Sequence, residues 1–241
     1  MGKKRLDALL TERGLADTRS KAQAYIMAGE ITVGGRVVTK AGSLVADDAE
    51  VQLKEKLRYV SRGGLKLEQA MEGFGIDVSG MVCLDVGAST GGFTDCLLQH
   101  GAKKVYALDT GHGQLDYSLR RDDRVAVMEK VNAHFPFELP EKVNLATIDV
   151  SFISVTSVIP NVLPHLVPPG DVVILFKPQF EAGRKDVGKG GVVRDPVVHT
   201  ALLADFATWM NNSKLRLINL AASPILGADG NREFLIYVRP L

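Results

Sequence analysis

Asp85-Val86-Gly87-Ala88-Ser89-Thr90-Gly91-Gly92-Phe93-Thr94-Asp95 decides the fold. The apolar run Met81 to Val86 leads directly into small residues, and a helix-prone segment follows. That order is a strand, a tight turn and a helix, the unit from which parallel sheets with crossover helices are built. The glycines let the backbone turn sharply and come close to a ligand. The stretch lacks the Gly-Lys-Ser/Thr ending of a phosphate-binding loop and does not spell a dinucleotide fingerprint.

Working outward, the next apolar run, Lys104 to Leu108, closes on Asp109, where an acidic side chain can accept both hydroxyls of a ribose. A loop that needs close backbone approach more than an anion nest, followed by such an acid, suits the adenosyl group of S-adenosylmethionine, which carries no phosphate. Further strands are expected at Val125 to Met128, Leu145 to Ile148, Val172 to Phe176, Leu215 to Ala221 and Phe234 to Val238, giving an α/β, Rossmann-like sheet of about seven strands. Four charged residues stand at the margins of these runs: Lys66 shortly before the first, Asp149 and Lys177 at the ends of two others, and Glu233 just ahead of the last. In an open α/β sheet the carboxyl ends of strands line the ligand crevice, which sets Asp149 and Lys177 beside the cofactor, with Glu233 reaching the same pocket from a neighbouring antiparallel strand.

The first 58 residues read differently. Leu6, Leu9 and Leu10 recur at helical spacing before Gly14. A second helix starts at Asp17-Thr18, is expected to turn Ala22, Ile26 and Met27 inward, and stops at Gly29. Ile31-Thr32-Val33 and Arg36-Val37-Val38 flank Gly34-Gly35, the signature of a tight hairpin. Residues 1–66 carry 13 Lys+Arg against 8 Asp+Glu, and the remainder 16 against 20. The basic character is therefore N-terminal, in a unit with too little core for an enzyme site. Residues 59–64, with Gly63-Gly64, read as a linker to a catalytic domain over 65–241.

Cys83 and Cys96 have no paired-ligand spacing and read as buried free thiols, with no metal site expected. No run approaches the ~20 apolar residues of a membrane span, and the N-terminus lacks a signal-peptide core, so a soluble cytoplasmic protein is expected.

The N-terminal residues Arg5-Leu6-Asp7, Gly14-Leu15, Thr18-Arg19-Ser20-Lys21-Ala22 and Gly29 to Gly35 resemble the S4-type RNA-binding domain. That resemblance implies that Arg5, Arg19 and Lys21 face RNA. The set Lys66, Asp149, Lys177 and Glu233 resembles the Lys-Asp-Lys-Glu tetrad of FtsJ-type ribose 2′-O-methyltransferases, and the loop from Asp85 to Phe93 resembles their cofactor motif. With Tyr59 to Leu67, Asp149 to Ser154, Phe176 to Glu181 and Gly230 to Phe234 added, the chain is similar along most of its length to the TlyA family of haemolysins and ribosomal RNA methyltransferases. The resemblance implies a cofactor site drawing on Asp85, Gly87, Ser89, Gly91, Gly92, Phe93, Asp109 and Asn132. Gly92 and Phe93 would border the methionine part, Asp109 the ribose and Asn132 the adenine.

The implied chemistry is in-line attack of an RNA ribose 2′-hydroxyl on the sulfonium methyl, which needs alignment and an alkoxide-like nucleophile but no metal. Lys177 would stabilise the developing oxyanion or take the proton, Asp149 and Glu233 would orient the lysines, and Lys66 would help place the ribose. The expected partner is ribosomal RNA or a ribosomal subunit, with cytidine as the implied target. The rivals are a non-catalytic ribosomal RNA-binding protein and a haemolysin acting on membranes; the sequence offers no spanning segment for the second.

Overall fold

The computed structural model describes residues 2–53, 58–183, 185–227 and 230–241. Contacts divide the chain into two units, Met1–Arg62 and Gly63–Leu241.

In the first unit β1 (Lys3–Arg5) runs into α1 (Leu6–Glu12), and α2 (Arg19–Ala28) follows. Thr18 caps α2 by accepting from Lys21 N at 3.2 Å, and Gly29 ends it at φ 77°. β2 (Ile31–Val33) and β3 (Arg36–Val37) form the expected hairpin, with Gly34 and Gly35 at φ 54° and 75°. β4 (Leu44–Ala46) pairs with β1, and β5 (Val51–Leu53) with β2. Leu6, Leu10, Ala22, Tyr25, Ile26 and Ile31 make the small core. Met27 corrects the inward face expected for α2, being 57% exposed, while Tyr25 is buried. At 100° per residue Tyr25 shares the face of Ala22, whereas Met27 is turned well away from it.

The second unit opens with α3 (Gly63–Phe74), so Gly63 and Gly64 begin a helix instead of ending a linker. Burial of Gly64, Leu67, Ala70 and Met71 on one stripe outweighs the low helix propensity of the glycines. The sheet follows, with crossover segments between its strands: β6 (Val82–Val86), α4 (Gly92–Gln99), β7 (Lys104–Asp109), α5 (Tyr117–Arg120), β8 (Val125–Glu129), β9 (Val143–Ile148), α6 (Ile159–Val162), β10 (Leu166–Phe176), α7 (Pro178–Glu181), α8 (Pro196–Asn212), β11 (Leu215–Ala222) and β12 (Phe234–Pro240).

All seven expected strands fall in one sheet of order β11-β12-β10-β9-β6-β7-β8. The run from β10 to β8 is parallel, while β12 lies antiparallel between β10 and β11. This is the Rossmann-like methyltransferase arrangement. Leu84, Val86, Ile148, Ile174, Phe176, Phe206 and Ile236 belong to its main core, and their removal from water supplies the folding drive that sets the strand ends in place. Cys83 and Cys96 are both buried and free.

Candidate active site

The strand order reverses at β6, whose chain neighbour β7 lies on one side and β9 on the other; such switch points open a crevice at the carboxyl ends. Here the crevice is a cleft of about 340 Å³ whose lining includes Gly87, Ser89, Asp109, Asn132 and Asp149. Small-molecule sites span roughly 300–1,000 Å³, so the volume suits a nucleoside-sized ligand.

Gly87 takes φ 87°, and a Cβ there would stand 2.3 Å from the Asp149 carbonyl oxygen. Only glycine lets the loop pass so close to the end of β9. Ser89 N donates to Asp109 Oδ2 at 2.8 Å and Gly111 N to Oδ1 at 2.6 Å. Two backbone amides thus fix the Asp109 carboxylate, and each oxygen keeps a lone pair to spare. Asn132 Oδ1 accepts from His134 N at 3.0 Å, which orients its side chain at the rim.

Four residues expected to hold cofactor do not line this cleft. Asp85 is fully buried within β6, where its carboxylate accepts from Thr94 Oγ1 at 2.7 Å and Thr147 Oγ1 at 3.0 Å. Burial pushes its carboxyl up to about 7, against the opposing pull of the two threonines. Gly91 takes φ 99°, a conformation that favours glycine, and a Cβ there would also press on the Leu119 and Leu115 side chains at 2.2 and 2.8 Å. Gly92 and Phe93 are buried in the first turn of α4. All four shape the loop from behind.

The four charged residues form two ion pairs. Lys66, on α3, places Nζ 2.5 Å from Glu233 Oε2, although 167 residues separate them. Lys177, just past β10, places Nζ 2.6 Å from Asp149 Oδ1 and donates to Ser151 Oγ at 3.0 Å. The Lys177–Asp149 contact lies off the hydrogen-bond line, so it is a charge contact that leaves buried Oδ1 without a hydrogen-bond donor among the described residues. Phe176 pairs with Phe234 across the antiparallel strands, so Lys177 and Glu233 occupy the adjoining positions at that end of the ladder. Of the four, Asp149 lines the cleft, and Lys177 joins it through Asp149 and Ser151.

Thr110, Gln114, His134, Ser151 and Phe152 also line the cleft, and the sequence reading gave none of them a role. Phe152 stands out physically. Its φ is 65°, in a region that costs a bulky residue about 1–3 kcal/mol, and it is 92% exposed. Its ring lies 5.1 Å from that of Phe180, which in turn lies under the Lys177 ammonium at 5.9 Å. An exposed aromatic face at a cleft is a surface on which a nucleobase stacks. Its only local sequence signal is its place three residues after Asp149.

In the N-terminal unit Arg5 and Arg19 converge on Asp7, whose side chain is fully buried. Arg5 donates to both carboxylate oxygens at 3.0 and 2.8 Å, Arg19 Nε donates at 3.1 Å and Gln23 Nε2 at 2.9 Å. The Arg5 bonds first, then those of Gln23 and Arg19, hold the Asp7 carboxyl well below the usual carboxylate range despite burial. Two half-exposed guanidiniums are thereby fixed side by side for one neutralising charge. Lys21 pairs with Asp17 at 2.9 Å.

The sheet order, the glycine turn and the carboxylate that ends β7 define a Rossmann-like methyltransferase. The FtsJ-like methyltransferase model matches residues 59–239 and the S4 domain model residues 4–51, and the chain belongs to the FtsJ-like methyltransferase family, with an S4 domain at its N-terminus and the TlyA proteins among its relatives. YqxC of Bacillus subtilis (strain 168), described as a candidate rRNA methyltransferase, is 48% identical over 98% of this chain and 85% of its own length. The 16S/23S rRNA (cytidine-2′-O)-methyltransferase TlyA of Mycobacterium tuberculosis (strain ATCC 25618 / H37Rv) is 41% identical over 98% and 89%. A solved Streptococcus thermophilus protein, described as a candidate hemolysin, superposes with TM-score 0.78 at 44% identity, covering 100% of this chain and 89% of its own. Among the described residues no helix is long and apolar enough to cross a membrane.

Proposed function

We propose that this protein is an S-adenosylmethionine-dependent ribosomal RNA methyltransferase that modifies a ribose 2′-hydroxyl, with cytidine as the target and the cytoplasm as its place of action. The observation that carries this reading is the pair of nearly buried lysine–carboxylate contacts, Lys177 with Asp149 and Lys66 with Glu233, the first of which meets the cleft lined by Asp109 through Asp149. The name of the M. tuberculosis relative and the matched S4 domain support the same substrate class.

When bound, S-adenosylmethionine supplies an electrophilic methyl group on sulfur. The donor set fits it: Asp109 offers lone pairs to ribose hydroxyls, Gly87 and Ser89 give close backbone approach, Asn132 stands at the rim, and Asp149 Oδ1 is a buried acceptor with no hydrogen-bond donor among the described residues. Asp85, Gly91, Gly92 and Phe93 hold the loop in shape. The remaining work belongs to the tetrad. Lys177 provides preorganised positive charge where a ribose oxygen becomes an oxyanion, in a site that excludes most water. Asp149 and Ser151 fix that ammonium, Glu233 fixes Lys66, and Lys66 places the ribose. Phe152 offers its face to the target base, and Arg5, Arg19 and Lys21 bind the surrounding RNA.

The test is incubation of ribosomal subunits with labelled S-adenosylmethionine, followed by mass mapping of the modified nucleotide, alongside single-turnover kinetics of Lys177→Ala. A ribose-methylated cytidine, with a rate reduced about 10²–10³ or more in a folded variant that still binds cofactor, is the expected result. Transfer at the wild-type rate by Lys177→Ala, or a methyl group on a base, overturns the mechanism.

A further inference from the structure

A second cavity, of about 480 Å³, lies at the start of α8. Arg194 and Arg232 line it, with His199, Thr200 and Phe234, and no carboxylate does. Both arginines are exposed, and among the described residues neither makes an ion pair or a hydrogen bond. Elsewhere in the same unit Arg120, Arg124 and Arg239 have a carboxylate partner, whereas Arg121 and Arg216 have none among the described residues, so it is the shared cavity that distinguishes Arg194 and Arg232. Asp195 adjoins Arg194 in sequence, yet it does not line the cavity, and its Oδ1 accepts from Val197 N at 2.8 Å to cap α8.

The backbone that carries the two arginines is fixed by one buried side chain. Asn231 Oδ1 accepts from Val193 N at 3.0 Å, and its Nδ2 donates to Gly191 O at 3.0 Å. Gly227 N adds a bond to Asn231 O at 2.8 Å, and the His199 ring shares Nε2 with Val193 O at 3.0 Å. Arg194 and Arg232 each follow directly on a residue of this clamp. Two positive side chains thus line one cavity with no carboxylate among its lining residues, a setting that suits an anion.

We infer that Arg194 and Arg232 form a site for one RNA phosphodiester beside the tetrad and apart from the cofactor cleft, an inference that rests on the ribose-methyltransferase reading. The position follows from the side-chain contacts of residues 232–234. Glu233 turns to Lys66 on α3, whereas Phe234 turns to the other face, where its ring meets that of His199 at 5.8 Å. Arg232, next to Glu233, joins Phe234 at this second cavity. Arg232 directly precedes Glu233 in the chain, so an RNA strand whose ribose reaches the tetrad needs only to cross residue 233 for a neighbouring phosphate to meet Arg232 and Arg194. Guanidinium forks match phosphate oxygens in pairs, which fixes the register of the strand without reading its bases.

The experiment measures binding of ribosomal subunits against salt, and methylation KM, for the full-length double variant Arg194→Ala/Arg232→Ala and for Arg194→Lys/Arg232→Lys. The alanine pair is expected to raise KM for RNA about tenfold or more and to flatten the log–log salt slope by roughly 0.7–0.9, the value for one phosphate, while cofactor Kd stays within about twofold. The lysine pair keeps the slope but not the full affinity, since an ammonium lacks the fork. Wild-type KM and slope in the alanine pair overturn the phosphate site even when the wild-type enzyme methylates ribose. Failure of the wild type to methylate ribose sinks the broader reading instead, and the salt slope still decides the arginines. If the alanine pair does not fold, the lysine pair carries the test: lowered affinity at an unchanged slope supports the site, and wild-type affinity refutes it.

Discussion

Replacing Lys66 by Met removes the ammonium 2.5 Å from Glu233 Oε2 and keeps an apolar stem of similar reach. The two side chains are only 11% and 4% exposed, so water does little to screen either charge. The stranded Glu233 carboxylate then carries the full cost of its burial, and breaking such a pair from one side costs about 3–5 kcal/mol. At about 2–4 °C per kcal/mol for a domain of this size, the melting midpoint should fall by roughly 6–20 °C. Adding Glu233→Gln removes the orphaned charge, so Lys66→Met/Glu233→Gln should recover most of the midpoint and none of the methylation. The assay is thermal unfolding of all four members of the cycle, with methylation measured in parallel. A wild-type midpoint for Lys66→Met, or a double variant no more stable than that single one, refutes the view that this pair is desolvated and mutually dependent.

Asp109→Ala should weaken cofactor binding by about 1–3 kcal/mol in calorimetry, because ribose hydroxyls lose their acceptor and the amides of Ser89 and Gly111 lose theirs; unchanged affinity removes Asp109 from the site. Arg19→Ala should flatten the salt dependence of RNA binding by about one unit and leave cofactor affinity alone, and an unaltered slope would confine Arg19 to its pairing with Asp7. Asp85→Asn tests the raised carboxyl. A folded-state value of about 7 against about 3.9 unfolded means the native state holds the proton more tightly, so the wild type should lose stability as pH rises from about 4 to 7. The variant should show a flatter profile, measured as melting midpoint against pH, and parallel profiles would refute the assignment.

Where the sequence was legible, one physical signal dominated. Apolar runs of strand length located all seven strands of the sheet, and the glycine turn with Asp109 located the cleft, because local steric and hydrophobic demands alone dictate both. Sheet order and the partnering of Lys66 with Glu233 depend on packing between segments far apart in sequence. Their places at the margins of apolar runs grouped those two residues with Asp149 and Lys177, but which lysine meets which carboxylate was not legible in the sequence. Asp85 heads the motif in sequence yet points beneath the loop, since strand alternation, not proximity to glycines, decides which side chain meets the cleft. Gly91 answers to Leu115 and Leu119, which no local pattern announces. Asp7 was visible only as part of a motif, and its role as the anchor of Arg5 and Arg19 emerged from convergence in space. Phe152 escaped notice because an exposed aromatic in left-handed backbone violates the rules by which cores are read.

The insertion of β12 between β10 and β11 governs the order in which the sheet can be assembled. β11 is made first but has no strand to pair with until β12 arrives, so the sheet edge at β10 stays open while residues 177–233 are being synthesised. Closing it requires contacts of high sequence separation, the slow kind in folding. A nascent chain that has reached residue 226 already holds Lys66, Asp149 and Lys177 but lacks Glu233 and the strand that follows it. The proposed tetrad is thus completed in one late event, when a single strand slots into the sheet and delivers the fourth charge.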